Sequence, residues 1–177
     1  GQLGGAVATG EIITSLALSP TYSAGGEIMV GTTNAAAATY GGVYIWNKLG
    51  VLNWAEQTTL DEDITSVAFS PNYPIDATIL AIGSDAAGTQ QHTKVSTFAW
   101  DATIGAEVSI NAALDVGSAT AIVSSSLVMG SDYNGSVAAT RRTYVATVSG
   151  LGSDDIYRVT TAATAMNPTS ATDDAFV

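Results

Sequence analysis

The chain has one histidine, His92, and no cysteine. Any Ser-His-Asp relay or imidazole-based metal centre must therefore use His92. A thiolate zinc site, which needs clustered sulfur and imidazole ligands, has no donors here. His92 sits in the polar run GTQQHTK, which reads as a surface loop with the histidine exposed. Carboxylates offer a second chemistry. Asp61-Glu62-Asp63 stands directly before a strand-like segment, and Asp154-Asp155 and Asp173-Asp174 form two further pairs. Loop carboxylates bind hard cations through oxygen, so Asp61, Asp63, Asp154 and Asp155 are the candidate ligands for calcium, the one cofactor suggested. They lack the DxDxDG spacing of a dedicated calcium loop, and solvated acidic loops are the simpler reading. Glu62 and Asp63 do not make a catalytic pair, because neighbours in a strand face opposite ways. Trp54, Tyr22 and Tyr73 are the candidate contacts for a sugar ligand. Asn134-Gly135-Ser136 is a glycosylation sequon at Asn134, and equally a simple Asn-Gly turn.

The elements that must position these residues are strands. Of 177 residues, 46% are hydrophobic, much of this Ala and Val, with 18 glycines; small residues of this kind suit stacked sheets and short turns. With 16 acidic residues against 5 basic, the net charge is -11. Binding to nucleic acid or to an anionic membrane needs clustered Lys and Arg, and the only basic pair is Arg141-Arg142. No apolar run is long enough to span a bilayer as a helix. The chain begins with Gly, read as a sign of processing, of excision from something longer, or of a tag remnant.

ITSLALSPTY (13–22) returns 51 residues later as ITSVAFSPNY (64–73). Each copy alternates with a period of two, placing Leu16 and Leu18, or Val67 and Phe69, on one face. Ser-Pro then stops the strand, since proline has no backbone donor. The likeness continues through GEIMVGTT (26–33) and ATILAIGSD (77–85). VYIW (43–46) aligns with TFAW (97–100), pairing Tyr44 with Phe98 and Trp46 with Trp100 and leaving DAAGTQQHT (85–93) as a loop. Recurrence at equivalent strand positions marks these four aromatics as packing residues. A third, worn copy runs through SSSLVMGSDY (124–133), TYVATVSG (143–150) and DIYRVT (155–160), with Tyr157 in the aromatic slot. VLNWAEQTT (51–59), AEVSI (106–110) and TAATAMN (161–167) supply a fourth strand to each copy. The Ala-rich stretch at 34–42 reads as a loop.

The expectation is a single all-β domain over 1–177 with repeats at 11–60, 61–118 and 119–170. Each repeat would be one four-stranded, propeller-like blade, and a β-sandwich is the alternative. Three blades cannot close a ring, which takes about four to eight, so two blade faces stay open. The chain is then part of a longer propeller, or copies of it assemble.

The SPTY…GEIMVGT…GGVYIW and SPNY…ATILAIGSD segments resemble SPNY-type β-propeller repeats of bacterial and archaeal secreted or S-layer-like surface proteins. These are distant relatives of the sialidase and Asp-box propellers. The resemblance covers residues 11–100 well and 121–160 weakly. It implies a scaffold or adhesion module outside the cell or on its surface. The Asp-box itself is missing, with SDYNGSV (131–137) a distant echo, and three arginines, two of them adjacent, cannot form the sialidase triad. The function expected is therefore non-enzymatic: a structural or adhesion protein that associates with itself. A carbohydrate-binding, lectin-like propeller and a fragment of a larger propeller hydrolase are the alternatives.

Overall fold

The computed structural model describes residues 10–34, 39–47, 53–57, 60–85, 88–95, 100–101, 108–109, 122–149, 155–160 and 163–165. These residues form an all-β structure of three antiparallel sheets, each with four strands in sequential order. The first sheet contains β1 (Glu11–Leu18), β2 (Glu27–Asn34), β3 (Val43–Asn47) and β4 (Trp54–Glu56). The second contains β5 (Asp63–Phe69), β6 (Thr78–Ser84), β7 (Thr89–Val95) and β8 (Val108–Ser109). The third contains β9 (Ile122–Met129), β10 (Thr143–Ser149), β11 (Asp155–Val159) and β12 (Ala163–Ala165). Among the described residues the helical content is one 3-10 turn, Tyr22–Ala24, and one α turn, α1 (Tyr73–Asp76), both following a Ser-Pro stop.

The duplicated segments occupy matching positions. Ser19 N donates to Glu27 O and Ser70 N to Thr78 O, each at 2.9 Å, closing the turn between first and second strand. Tyr22 N reaches Ser19 O, Tyr73 N reaches Ser70 O and Tyr133 N reaches Gly130 O, each at 3.0 Å, so the third copy keeps the turn without the Ser-Pro pair. A bulge interrupts β1 between Ile13 and Ser15 and β5 between Ile64 and Ser66. The residue bulged out is a threonine each time, and its hydroxyl crosses to the next sheet. Thr14 Oγ1 donates to Ile64 O at 2.5 Å, and Thr65 Oγ1 shares a hydrogen bond with Ser125 Oγ at 2.7 Å. The edge strand β5 thus lies between β1 and β9, in contact with both.

Two cores result. Met29, Val43, Ile64, Val67, Phe69, Ile79 and Ala81 fill the space between the first and second sheets, with Ala17, Ile45, Leu60, Tyr73 and Trp100 against them. Ile82, Val145, Tyr157 and Val159 meet between the second and third, with Leu127 alongside. Gly31 allows the first contact to be close: a Cβ there would stand 2.7 Å from Ile64 Cγ2 and 3.1 Å from Val67 Cγ1.

One alignment needs correction. The third strand of the second sheet is Thr89–Val95, which begins within the stretch expected to be a loop (85–93) and runs two residues past it, and not TFAW. The pairing shows which residues correspond. Val30 faces Tyr44 in the first sheet, and Ala81, its counterpart, faces His92. His92 therefore holds the slot of Tyr44, and Lys94, paired with Ile79, holds that of Trp46, paired with Ile28. Tyr157, paired with Val145, keeps the aromatic slot of the third sheet. Phe98 lies outside the described residues.

Candidate functional site

The sequence expectation for His92 is overturned. It is a buried strand residue, 3% exposed, gripped from both sides of its ring. Nδ1 lies 2.8 Å from Asp101 Oδ2 and Nε2 lies 3.0 Å from Glu62 Oε2. The supports are local. Asp101 has left-handed backbone, φ 58°, which turns the chain after β7 back on itself. The turn is clamped by Asp101 N to Thr93 O at 2.7 Å and Thr93 N to Asp101 Oδ1 at 2.8 Å. Gly83 leaves the room that the Glu62 carboxylate occupies, since a Cβ there would lie 1.8 Å from Glu62 Oε2. The Gln90 amide, oriented with its nitrogen toward Glu62, donates to Oε1 at 3.0 Å. Trp100 stands edge-on to the imidazole with ring centroids 6.4 Å apart, and its Nε1 donates to Gln57 O at 2.7 Å.

Burial by itself lowers the His92 pKa, but hydrogen bonds to Asp101 and Glu62, and the charges of both, outweigh it and push it up to about 9. At neutral pH the ring is an imidazolium donating from both nitrogens. It then has no lone pair for a metal and none to accept a proton. The two carboxylates also flank the ring on opposite sides, which prevents all three groups converging on one ion. Among the described residues no group of three or more His, Cys, Asp and Glu is arranged to hold a metal. The arrangement is a buried ion triad tying β7 to the segment before β5. The first sheet has a counterpart with a phenol in place of the imidazole: Tyr44 OH donates to Glu11 Oε1 at 3.1 Å, with Glu11 51 residues before Glu62.

The candidate calcium ligands are not brought together by what is described. Asp61 is exposed with φ 51°. Asp63 Oδ1 accepts Asn34 N at 2.7 Å and Gly41 N at 3.1 Å, tying the β2–β3 connection to the next sheet. Asp154 lies outside the described residues, and Asp155 begins β11 opposite Thr147. A carboxylate overlooked in the sequence, Asp76, does comparable work while buried. It accepts Ser70 Oγ at 2.7 Å, Thr78 N at 3.0 Å and Gly135 N at 2.9 Å. Asn72 Nδ2 donates to Tyr133 O beside it. Gly135 is needed there, since a Cβ would meet Thr78 Oγ1 at 2.2 Å. Burial, followed by the nearby charge of Asp76, pushes the Tyr133 phenol up to about 12.

The three aromatic candidates are dispersed. Tyr73 packs edge-on against Phe69 at 4.7 Å and hydrogen-bonds Glu27, and burial with that carboxylate raises its pKa. It lines a cleft of about 240 Å³ with Glu27, Ile45, Gln57, Ala77 and Ile79. Neither Tyr22, half-buried on the 3-10 turn, nor Trp54 on β4 joins that lining. The cleft is smaller than the ~300–1,000 Å³ usual for organic ligands. Trp54 pairs with Trp46 across β3 and β4, and both indole N–H groups are buried without an acceptor among the described residues. Asn134 is half-buried, its Oδ1 accepting Ser136 N at 2.8 Å in a side-chain turn.

The more informative site is a surface. Ile64, Val67 and Phe69 are 0%, 5% and 7% exposed because the first sheet covers them. Their counterparts Ile13, Leu16 and Leu18 are 52%, 65% and 52% exposed on the outer face of the first sheet. On the outer face of the third sheet Val128, Tyr144 and Val148 are exposed as well. No helix among the described residues is long and apolar enough to cross a membrane. Comparison with protein-family models, with curated proteins and with solved structures finds no match.

Proposed function

We propose that this chain is a non-enzymatic structural or adhesion protein, built of propeller-like blades, that acts by associating with itself through its two outer sheet faces. The observation that carries the reading is the contrast between Ile64, Val67 and Phe69, buried, and Ile13, Leu16 and Leu18, exposed at equivalent positions. Apolar side chains in contiguous rows mark an interaction surface rather than a solvated one. Three consecutive four-stranded antiparallel sheets, with the first strand of each packed on the first strand of the next, support the blade reading. The surplus of acidic residues and the SPNY-type resemblance support a place outside the cell or on its surface.

The test is the mass in solution, by light scattering on a size-exclusion column over a wide range of protein concentration. Assemblies of two or more chains are expected. A particle of 17.9 kDa at every concentration overturns the reading.

A further inference from the structure

Asn134-Gly135 is the only Asn-Gly pair in the chain. An asparagine before glycine is chemically labile, because no Cβ hinders the glycine nitrogen from reaching the asparagine side-chain carbonyl. Packing requires the glycine here: a Cβ at position 135 would stand 2.2 Å from Thr78 Oγ1. The contact that demands glycine thus also creates the labile pair. Two hydrogen bonds oppose the reaction. Gly135 N donates to Asp76 Oδ2 at 2.9 Å, and Asn134 Oδ1 accepts Ser136 N at 2.8 Å. The first engages the attacking atom. Attack needs a nitrogen that has given up its proton, and a carboxylate beside the N–H favours the protonated form and repels the anion. The second bond fixes the side chain that is attacked. Asp76 is anchored within its own sheet by Ser70 Oγ at 2.7 Å and Thr78 N at 3.0 Å. Its bond from Gly135 N crosses to the β9–β10 connection of the third sheet, as does the bond from Asn72 Nδ2 to Tyr133 O. Protection therefore lasts while the third sheet is docked on the second. Among the described residues that docking rests on four buried apolar side chains, against seven between the first and second sheets.

We propose that Asn134 is a latent site of covalent modification, deamidation through a cyclic imide, gated by separation of the third sheet from the second. In the open state Gly135 N bonds to Asn134 Cγ and gives its proton to a solvent base. The side-chain nitrogen leaves as ammonia, and water then opens the imide at either carbonyl. The product is aspartate or isoaspartate at position 134, with one ammonia released for one water consumed. The reaction runs one way. Isoaspartate routes the backbone through the former side chain and lengthens it by one carbon, which displaces Gly135 N from Asp76. Either product sets a new carboxylate one residue from that contact and two from Asp132. Re-docking is weakened by the added charge, so the mark records an opening that has occurred. The inference does not depend on self-association.

The 177-residue chain is aged in mildly alkaline buffer, folded or unfolded in urea, and position 134 is followed by peptide mapping for aspartate and isoaspartate. Asn134→Gln supplies the baseline. Conversion is expected in urea and at least roughly tenfold slower conversion in the folded chain, where it waits for local opening. Equal rates overturn the protection, and no conversion in urea overturns the lability. Asp76→Asn with unchanged circular dichroism should convert faster than the folded parent; an unchanged rate removes Asp76 from its role. Two distant variants test the gate without touching the site, whether or not Asp76→Asn folds. Val145→Ala leaves a cavity between the second and third sheets and should speed conversion. Val43→Ala does the same between the first and second sheets and should leave the parent rate. Equal acceleration by both, or by neither, overturns gating by the third sheet.

Discussion

His92 is kept cationic by the two carboxylates around it, so its contribution to folding depends on pH in a defined direction. The folded-state pKa, near 9, lies above the unfolded value of 6.5. A raised pKa means that the folded state binds the proton more tightly. The associated stability is complete below about pH 6.5 and disappears as pH rises through about 9; the difference is on the order of 3 kcal/mol. Thermal unfolding followed by circular dichroism should give a Tm that falls across this window. His92→Tyr is the informative variant, because Tyr44 fills the equivalent slot and donates to Glu11. It should fold and lose the downward slope between pH 6.5 and 9. A slope that persists in this variant would assign the effect to another group.

Among the elements, the contact between the first two sheets depends on the missing side chain at position 31. Gly31→Val pushes two methyl groups into Ile64 and Val67, both under 6% exposed. Overpacking of this kind costs about 1–3 kcal/mol. Urea unfolding should show the midpoint falling with the slope unchanged, and a variant as stable as the parent would mean that the sheets can separate without penalty. The strand edges are treated differently. β1, β5 and β9 form a stack in which Thr14, Thr65 and Ser15 hydrogen-bond across sheet boundaries, so open backbone edges are partly answered by side chains of the neighbouring sheet.

At the scale of the whole molecule, an assembly that buries Leu16 and Leu18 links folding to protein concentration. Whatever binds only the folded state raises the apparent stability by mass action. The Tm should therefore increase as the protein is concentrated, and Leu16→Asp should abolish the increase. A Tm independent of concentration in the parent would argue that the outer faces are not used. With a net charge of -11, association is expected to strengthen as salt screens repulsion between chains.

Much of this architecture could be read in the order of residues. The period of two in ITSLALSPTY and ITSVAFSPNY, the Ser-Pro stops and the 51-residue spacing are local signals, and strand, turn and repetition follow from them because backbone and side-chain geometry are set within a few residues. The third copy was readable through Leu127, Met129 and Tyr133 even without its proline. The position of His92 was not. Aromatic spacing aligns Trp46 with Trp100 and hides the true correspondence of Tyr44 with His92, which rests on strand pairing rather than similarity of side chains. Burial was equally hidden: Leu16 and Val67 have the same local pattern, yet one is exposed and the other packed, because that difference depends on whether another sheet lies against them. Likewise Glu62, His92 and Asp101 are separated in the chain, and only the pairing of β5 with β6 and of β6 with β7, together with the turn after β7, brings two carboxylates to one ring, where the loss of water makes their charge strong enough to keep it protonated.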